Sequence, residues 1–292
     1  MRPEYEELLR SAINKYLECL TKSSLEPAVD HLDFNFSFLE NRKWYALAEE
    51  MIRCEIRELT NNINQWSASL YRWHAWNNVL TSYEFDAAWT LRSEFLDATV
   101  HECLLNPFSM RDTFVAIATN AAHQIRLSSE QDYRDIIDGD QLKPDSPLKH
   151  FTRRQKEARL QKIVAKWQSA APFLSSLRGL DDASNRENTS NYRNLNTHTI
   201  GPRLGFGQTR TITRSVAQAI KLVETCNGRY TDTLVPDKMQ VSYSFGGTEP
   251  LDLETARVEN LQQFHVARDC YEKYRVLLEN AVSLIPSFKT DA

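Results

Sequence analysis

The first glycine of this chain is Gly139, in a sequence of 292 residues that holds only 8 glycines. Glycine costs about 1 kcal/mol relative to alanine inside a helix, so a long glycine-free stretch favours helices. The spacing of apolar residues predicts three amphipathic helices, at 4–22, 39–59 and 114–127. Residues 63–105 are rich in aromatic side chains and fit one long helix or two. Asn106-Pro107 is predicted to end that segment, because proline disfavours a helical residue before it.

The rest of the chain mixes helices with short extended segments. Helices are predicted at 148–167, 172–177, Val216–Cys226 and 252–284. Met239–Phe245 alternates apolar and polar residues, which is the clearest strand pattern, and Thr209–Thr213 is a weaker one. The predicted fold class is therefore mostly α, a helical bundle with a small β-hairpin late in the chain.

Domain organisation follows from a change in composition. Residues 128–147 are polar and rich in turn-forming residues, which predicts a connection between two helical regions. The N-terminal helical region is then 1–127 and the second is 148–292. One continuous domain that includes both regions is the alternative.

Composition excludes several classes of protein. The net charge of −4 excludes a general polyanion binder, so any nucleic-acid surface must be local. The five cysteines are widely spaced without a Cys-x-x-Cys pair, which fits reduced thiols and gives no zinc site. Neither a signal peptide nor an apolar run of the ~20 residues that a membrane helix needs is evident. We expect a cytoplasmic protein with no metal, no cofactor and no membrane contact.

One short stretch, Asn191–His198, holds an arginine, an asparagine and a histidine at a spacing that chemistry can use. On a helix, Arg193 and His198 lie roughly 140° apart, on neighbouring faces. Asn194 lies between them in the sequence. Glycine and proline in Gly201-Pro202 stop a helix, so the group is predicted at or near a helix terminus.

These side chains suit cleavage of RNA through attack by its own 2′-hydroxyl. Histidine has an ordinary pKa of about 6.5, which suits proton transfer near neutral pH, and this is the role predicted for His198. Arg193 would hold the phosphate, because a guanidinium stays charged and binds phosphate oxygens in pairs. Asn194 would bond the phosphate or orient His198. A chain with one such histidine needs a second copy to supply both an acid and a base, which agrees with a homodimer.

The surroundings of the motif favour RNA. From Asn188 to Val223 there is no acidic residue, and a basic run attracts a phosphate backbone. The side chains predicted to bind RNA are Tyr192, Arg203, Arg210 and Arg214. Exposed aromatic rings among Tyr192, Phe206 and Tyr243 would stack on single-stranded bases.

Arg193, Asn194 and His198 in a helical chain resemble the R-x(4–6)-H signature of the HEPN superfamily (higher eukaryotes and prokaryotes nucleotide-binding domain). The resemblance implies a metal-independent ribonuclease that works as a dimer. It also implies a role as a toxin or phage-defence effector, with an antitoxin or effector-complex partner. Several toxins of the family carry tyrosine two residues after the histidine, where this chain has Ile200. Regulation through that tyrosine is therefore not expected here.

Other interpretations compete with these. Some members of the family lack the motif and act as scaffolds, so the alternative is a non-catalytic module that binds a nucleotide or a protein. The basic helix at 148–167 is interpreted as a solvated face, or as a partner of the acids at Glu254–Glu259, rather than as an RNA track. The tryptophans between Trp44 and Trp89 are expected in a core or a dimer interface. His123 has no partner that the sequence can name.

Overall fold

The computed structural model describes residues 3–21, 24–140, 150–225 and 227–288. The chain divides into a helical unit, Met1–Thr189 with Glu254–Ala292, and a hairpin unit, Ser190–Leu253. This division falls elsewhere than the polar connection predicted at 128–147. Ser128 and Ser129 of that range are the end of a long helix, and residues 141–149 lie outside the described residues.

The fold class is confirmed as mostly α with a late β-hairpin. The helices are α1 (Pro3–Leu20), α2 (Ala48–Leu80), α3 (Phe85–Phe95), α4 (Asp97–Ser129), α5 (Arg153–Val164), α6 (Ala170–Gly179), α7 (Ala183–Asn188), α8 (Tyr192–His198) and α9 (Leu253–Val282). The strands are β1 (Ile212–Glu224) and β2 (Tyr230–Phe245), and a short 3-10 turn covers Ser37–Leu39. Among the described residues, no helix combines the length and the apolar character that a membrane span requires.

The helix predicted at 39–59 begins only at Ala48, and two helix breaks expected from the sequence are absent. The break expected after residue 59 is absent, because α2 runs unbroken through it. There the buried Thr60 hydroxyl donates to the Ile56 carbonyl at 2.8 Å and lies 2.8 Å from the Tyr271 hydroxyl. Polar residues at this point are therefore part of the packing and do not mark a loop.

The second difference concerns Pro107, which was expected to end a helix and instead lies inside α4. Proline has no N–H, so the carbonyl of Cys103, four residues earlier, loses its usual helical partner. The buried Asn260 side chain of α9 donates to that carbonyl at 2.7 Å. Asn260 also accepts a hydrogen bond from the Trp66 indole at 2.8 Å. Asn260 of α9 thus provides the hydrogen-bond partner for a buried indole of α2 and for the carbonyl that Pro107 leaves unpaired in α4.

The core of the helical unit is aromatic. The rings of Trp66 and Phe264 meet edge to face with centroids 5.6 Å apart, which is a favoured geometry for aromatic pairs. Phe173 and Tyr274 lie 5.3 Å apart. Trp76, at the end of α2, is stacked on another ring on each side. The tryptophans of α2 are therefore packing residues, as expected for a core.

The hairpin unit contains α8, a loop and the antiparallel pair of β1 and β2. The loop after α8 is held by isolated bridges of Leu204 to Leu251 and of Thr209 to Thr248. The helix predicted at Val216–Cys226 is wrong: residues 216–224 lie in β1, and Cys226 lies outside the described residues. The strand predicted at Met239–Phe245 is confirmed as the second part of β2.

Candidate functional site

The predicted motif occupies α8, a helix of seven residues. The chain enters it through Ser190 and Asn191, both in the left-handed region with φ of 51°. Such residues cannot continue a helix, so they separate α8 from α7. Thr199 then leaves the helical region, with φ of −148°. His198 is therefore the last residue of its helix.

The helix fixes the relative placement of the three predicted catalytic residues. Asn194 and His198 are four residues apart and lie on one face, one turn from each other. Arg193 lies on the neighbouring face, and its Nη1 donates to the Asn194 Oδ1 at 3.3 Å. The structure thus joins Asn194 to the arginine of the motif. The predicted alternative, in which Asn194 orients the histidine, has no corresponding hydrogen bond within the described residues.

His198 and Asn194 are exposed, whereas Arg193 is half-buried. Thr197 donates its hydroxyl to the carbonyl of Arg193 at 2.8 Å, which ties the side chain of the last turn to the helix backbone. Within the part of the chain that the structure describes, no hydrogen bond engages the His198 imidazole. A base must have a free ring nitrogen, and this histidine can offer one to solvent.

The predicted RNA-binding residues differ in their surroundings. Tyr192 is buried, with 4% of its surface exposed, so its ring offers no face for stacking on a base. Phe206 and Tyr243, by contrast, are exposed. Arg203 and Arg210 are exposed on the loop that follows α8.

The backbone around those two arginines is held in place. The Arg203 carbonyl accepts from the Leu251 N–H at 2.8 Å, and Thr209 pairs with Thr248 next to Arg210. Arg214 is placed differently, because it lies on β1 directly across from Tyr243. The structure therefore separates Arg203 and Arg210, on the loop, from Arg214, on the hairpin.

The motif lies in a stretch of positive charge. Residues 188–223 contain no carboxylate and five basic side chains: Arg193, Arg203, Arg210, Arg214 and Lys221. A stretch of this kind attracts phosphate even though the whole chain is slightly acidic.

The basic helix α5 belongs to the helical unit, and two of its cations, Arg153 and Arg159, already have partners there. Arg153 forms ion pairs with Asp112 and Asp181 and lies over the Phe108 ring. Glu157, the acid of this helix, pairs with Arg111 at 2.7 Å. The acids at Glu254–Glu259, considered from the sequence as partners of this helix, take no part in these ion pairs. Arg153 therefore contributes to packing within the helical unit. These contacts do not support α5 as an RNA-binding surface.

One constellation in the helical unit was not found from the sequence. His123 is buried, its Nδ1 lies 2.9 Å from the Tyr133 hydroxyl, and its Nε2 lies 2.9 Å from Asp135. A cavity of about 420 Å³ is lined by Tyr133 and Asp135. Both ring nitrogens are used, so His123 anchors the loop after α4 and has no nitrogen left for a substrate. Its partners follow the end of a helix, where periodicity carries no signal.

Among the described residues, no group of three or more His, Cys, Asp or Glu side chains is arranged to hold a metal ion. Comparison with known proteins adds no family: no protein-family model, no curated protein and no solved structure matches this chain.

Proposed function

We propose that this protein is a metal-independent endoribonuclease of the HEPN type that cleaves single-stranded RNA. One observation carries the proposal: α8 holds an exposed His198 one turn from Asn194, whose side chain accepts a hydrogen bond from Arg193, within a run that has no carboxylate. An imidazole, a guanidinium and an amide on one short helix are the groups that phosphodiester transesterification requires.

In this mechanism His198 accepts the proton of a ribose 2′-hydroxyl. The 2′-oxygen attacks the adjacent phosphorus, the bond from phosphorus to the 5′-oxygen breaks, and a proton reaches the leaving oxygen. The products are a 2′,3′-cyclic phosphate and a 5′-hydroxyl. Arg193 neutralises the charge that develops on the phosphate oxygens, and Asn194 holds the guanidinium in place. His198 of a second copy supplies the proton for the leaving group.

The RNA strand is drawn to the site by charge and held by stacking. Arg203 and Arg210 are exposed cations on the loop after α8, and the exposed ring of Phe206 lies on the same loop. Cations of this kind bind the backbone without reading sequence, while aromatic rings stack on unpaired bases. We leave Tyr192 out of this surface because it is buried, and Arg214 because it stands on the hairpin.

The test is cleavage of single-stranded RNA in the presence of EDTA, followed by detection of 2′,3′-cyclic phosphate ends. We expect the parent to cleave and His198→Ala to lose on the order of 100-fold to 10,000-fold in rate. His265→Ala, which removes an exposed histidine of α9, is the matched control and should cleave like the parent. Equal rates for the parent and His198→Ala would rule out the assignment.

As a cellular role we propose a toxin or phage-defence effector, restrained by an antitoxin or by a larger effector complex. This proposal is supported by the resemblance of Arg193, Asn194 and His198 to the family signature. Expression of the parent should arrest growth of a host cell, and His198→Ala expressed at the same level should not. If the purified parent leaves RNA intact, the non-catalytic alternative replaces the nuclease.

A further inference from the structure

The hairpin has one apolar face and one polar face. In an antiparallel pair, directly opposite residues share a face, and faces alternate along each strand. The register shifts once, between Gln218 and Ile220, where residues 235–238 of β2 stand opposite Ala219, and the pairing on either side of this bulge keeps β1 in alternation. One face carries Ile212, Val216, Ile220, Leu222, Tyr230, Leu234, Met239, Val241, Tyr243 and Phe245. The other face carries Thr213, Ser215, Gln240, Ser242 and Ser244, and on it the hydroxyls of Thr213 and Ser244 lie 2.9 Å apart.

Among the described residues, the side chains of the apolar face are exposed. Each of its ten large apolar side chains is between 46% and 92% exposed, with Val241 at the lower end and Phe245 at the upper end. Alternation of this kind normally accompanies burial of the apolar side against a second layer. A hairpin of two strands without such a layer is at best marginally stable in water. The face therefore requires an occupant.

The size of the face indicates what kind of occupant it takes. Ten exposed side chains of this size present on the order of 1,000 Å², whereas the largest apolar patch of a monomeric protein is roughly 300–600 Å². A stable protein–protein interface buries about 800 Å² on each partner. The face is thus large enough to form an interface by itself.

Charges at the two ends of the face show that it is complementary to itself. On β1, Arg214 lies four residues before Gln218, and Leu222, which is paired with Asp232, lies four residues after it. The face therefore carries the cation Arg214 on one side of its centre and the anion Asp232 at the same spacing along β1 on the other, with Glu224 one row further out. Apolar pairs, Val216 with Val241 and Ile220 with Leu234, lie between the centre and those charges.

We propose that a second copy of this chain covers the apolar face, with the two hairpins packed face to face and running in opposite directions about a two-fold axis at the Gln218–Met239 pair. In this arrangement the row that contains Arg214 lies over the row that contains Asp232 in the other copy, at both ends of the interface. Parallel packing would instead place the row that contains Arg214 over the same row of the other copy, which brings the two arginines into one layer. The charges therefore select the antiparallel dimer, since like charges brought together weaken association.

The inference is independent of the nuclease. It rests on β1 and β2 alone, and it assigns Arg214 to the interface between copies rather than to RNA. Oligomeric state can be measured without RNA, and His198→Ala should associate as the parent does. Loss of cleavage with an intact dimer would contradict only the nuclease proposal, and a parent that cleaves RNA as a dimer but is unaffected by changes on the hairpin face would contradict only this one.

The first experiment measures the mass of the full chain by light scattering and the dissociation constant by sedimentation over a range of concentrations. We expect a mass twice the 33.8 kDa of one chain. Val216→Lys should raise the dissociation constant by a factor on the order of ten or more, because it introduces a charge near the centre of the apolar face. Ser215→Lys is the matched control on the polar face, and it should change the constant by less than about twofold.

The second experiment tests the orientation and does not depend on the first variant. Arg214→Glu and Asp232→Lys should each weaken the dimer on the order of tenfold, since each brings like charges together. The variant that carries both changes restores opposite charges, so its constant should return to within about threefold of the parent.

Three results would overturn the proposal. They are a monomeric parent at tens of micromolar, equal effects of Val216→Lys and Ser215→Lys, and failure of the double charge exchange to restore the dimer. A parent that is monomeric because its apolar face binds a different protein would also overturn the proposal. Equal effects of the two lysine variants would indicate pairing along the strand edges instead.

Discussion

The helical unit and the hairpin use the same apolar side chains with opposite outcomes. Phe264 and Tyr274 of α9 are buried with 0% and 2% of their surface exposed, whereas Tyr243 and Phe245 of β2 are 69% and 92% exposed. Each element has an apolar side of its own. For α9 the rest of the helical unit supplies the covering layer, whereas the described residues of the hairpin unit supply none for the hairpin. A pattern of apolar residues therefore tells which side of an element will be covered, but it does not tell by what.

The sharpest test of this contrast is the removal of one phenylalanine ring from each region. Phe264→Ala should lower the free energy of unfolding by about 3–5 kcal/mol, because it leaves a cavity beside Trp66. Phe245→Ala, measured at a concentration where the copies are separate, should lower it by less than about 0.5 kcal/mol. Urea denaturation of each variant measures both values. Similar losses would mean that the hairpin face is covered within the chain.

The next largest effect concerns the polar group that joins α9 to the rest of the helical unit. Asn260→Leu should cost about 2–3 kcal/mol, since it leaves the Trp66 indole and the Cys103 carbonyl buried without a partner. In a Pro107→Ala background the cost should fall by about 1 kcal/mol, because residue 107 regains the N–H that bonds the Cys103 carbonyl. The free energies of unfolding of the parent, both single variants and the double variant give the change in cost. If the costs of the two single changes simply add in the double variant, the explanation given for Pro107 is wrong.

A smaller effect depends on pH and involves only the helical unit. His74 Nδ1 accepts a hydrogen bond from the Glu26 N–H at 2.7 Å, which requires a neutral ring. Burial, and then the nearby charge of Arg257, lower the pKa of His74 below its usual value near 6.5. Because the folded pKa is the lower one, this stabilisation is complete above about pH 6.5 and is lost as the pH falls towards the folded pKa.

The expected loss is about 1 kcal/mol, the worth of one hydrogen bond. We expect the stability of the parent to fall more between about pH 7.5 and pH 5 than that of His74→Gln, whose side chain accepts the bond at either pH. His265→Gln is the control, since that histidine is exposed, and it should follow the parent. If the free energy of unfolding of His74→Gln falls with pH as steeply as that of the parent, His74 is not the titrating group.

Much of the helical unit could be predicted from periodicity, and each miss has an identifiable physical cause. α9 and α1 were predicted nearly to their ends because their apolar faces repeat over many turns. The break expected after residue 59 was wrong because the polarity of Thr60 is used inside the core. Pro107 was misjudged because its compensation comes from Asn260, which is 153 residues later in the sequence. A distant side chain cannot be inferred from a local pattern.

The hairpin unit was predicted less well. Val216, Ile220 and Val223 follow one another at steps of four and three, which fits a helix face as well as a strand. The pairing with β2 decides between the two, and pairing is not a local property. For the site, the sequence predicted a position at or near a helix terminus, and His198 is the last residue of α8. The sequence did not indicate that Tyr192 is buried or that Asn194 is bonded to Arg193.

The helical unit is interrupted in the chain, since residues 190–253 stand between α7 and α9. A ribosome must therefore finish the motif and the hairpin before it makes the helix that completes the first core. Until α9 arrives, the Trp66 indole and the Cys103 carbonyl have no protein partner in the folded arrangement. During synthesis the hairpin thus emerges while the earlier helices are still incomplete, and two nascent chains on one message could meet through their hairpins before either bundle closes.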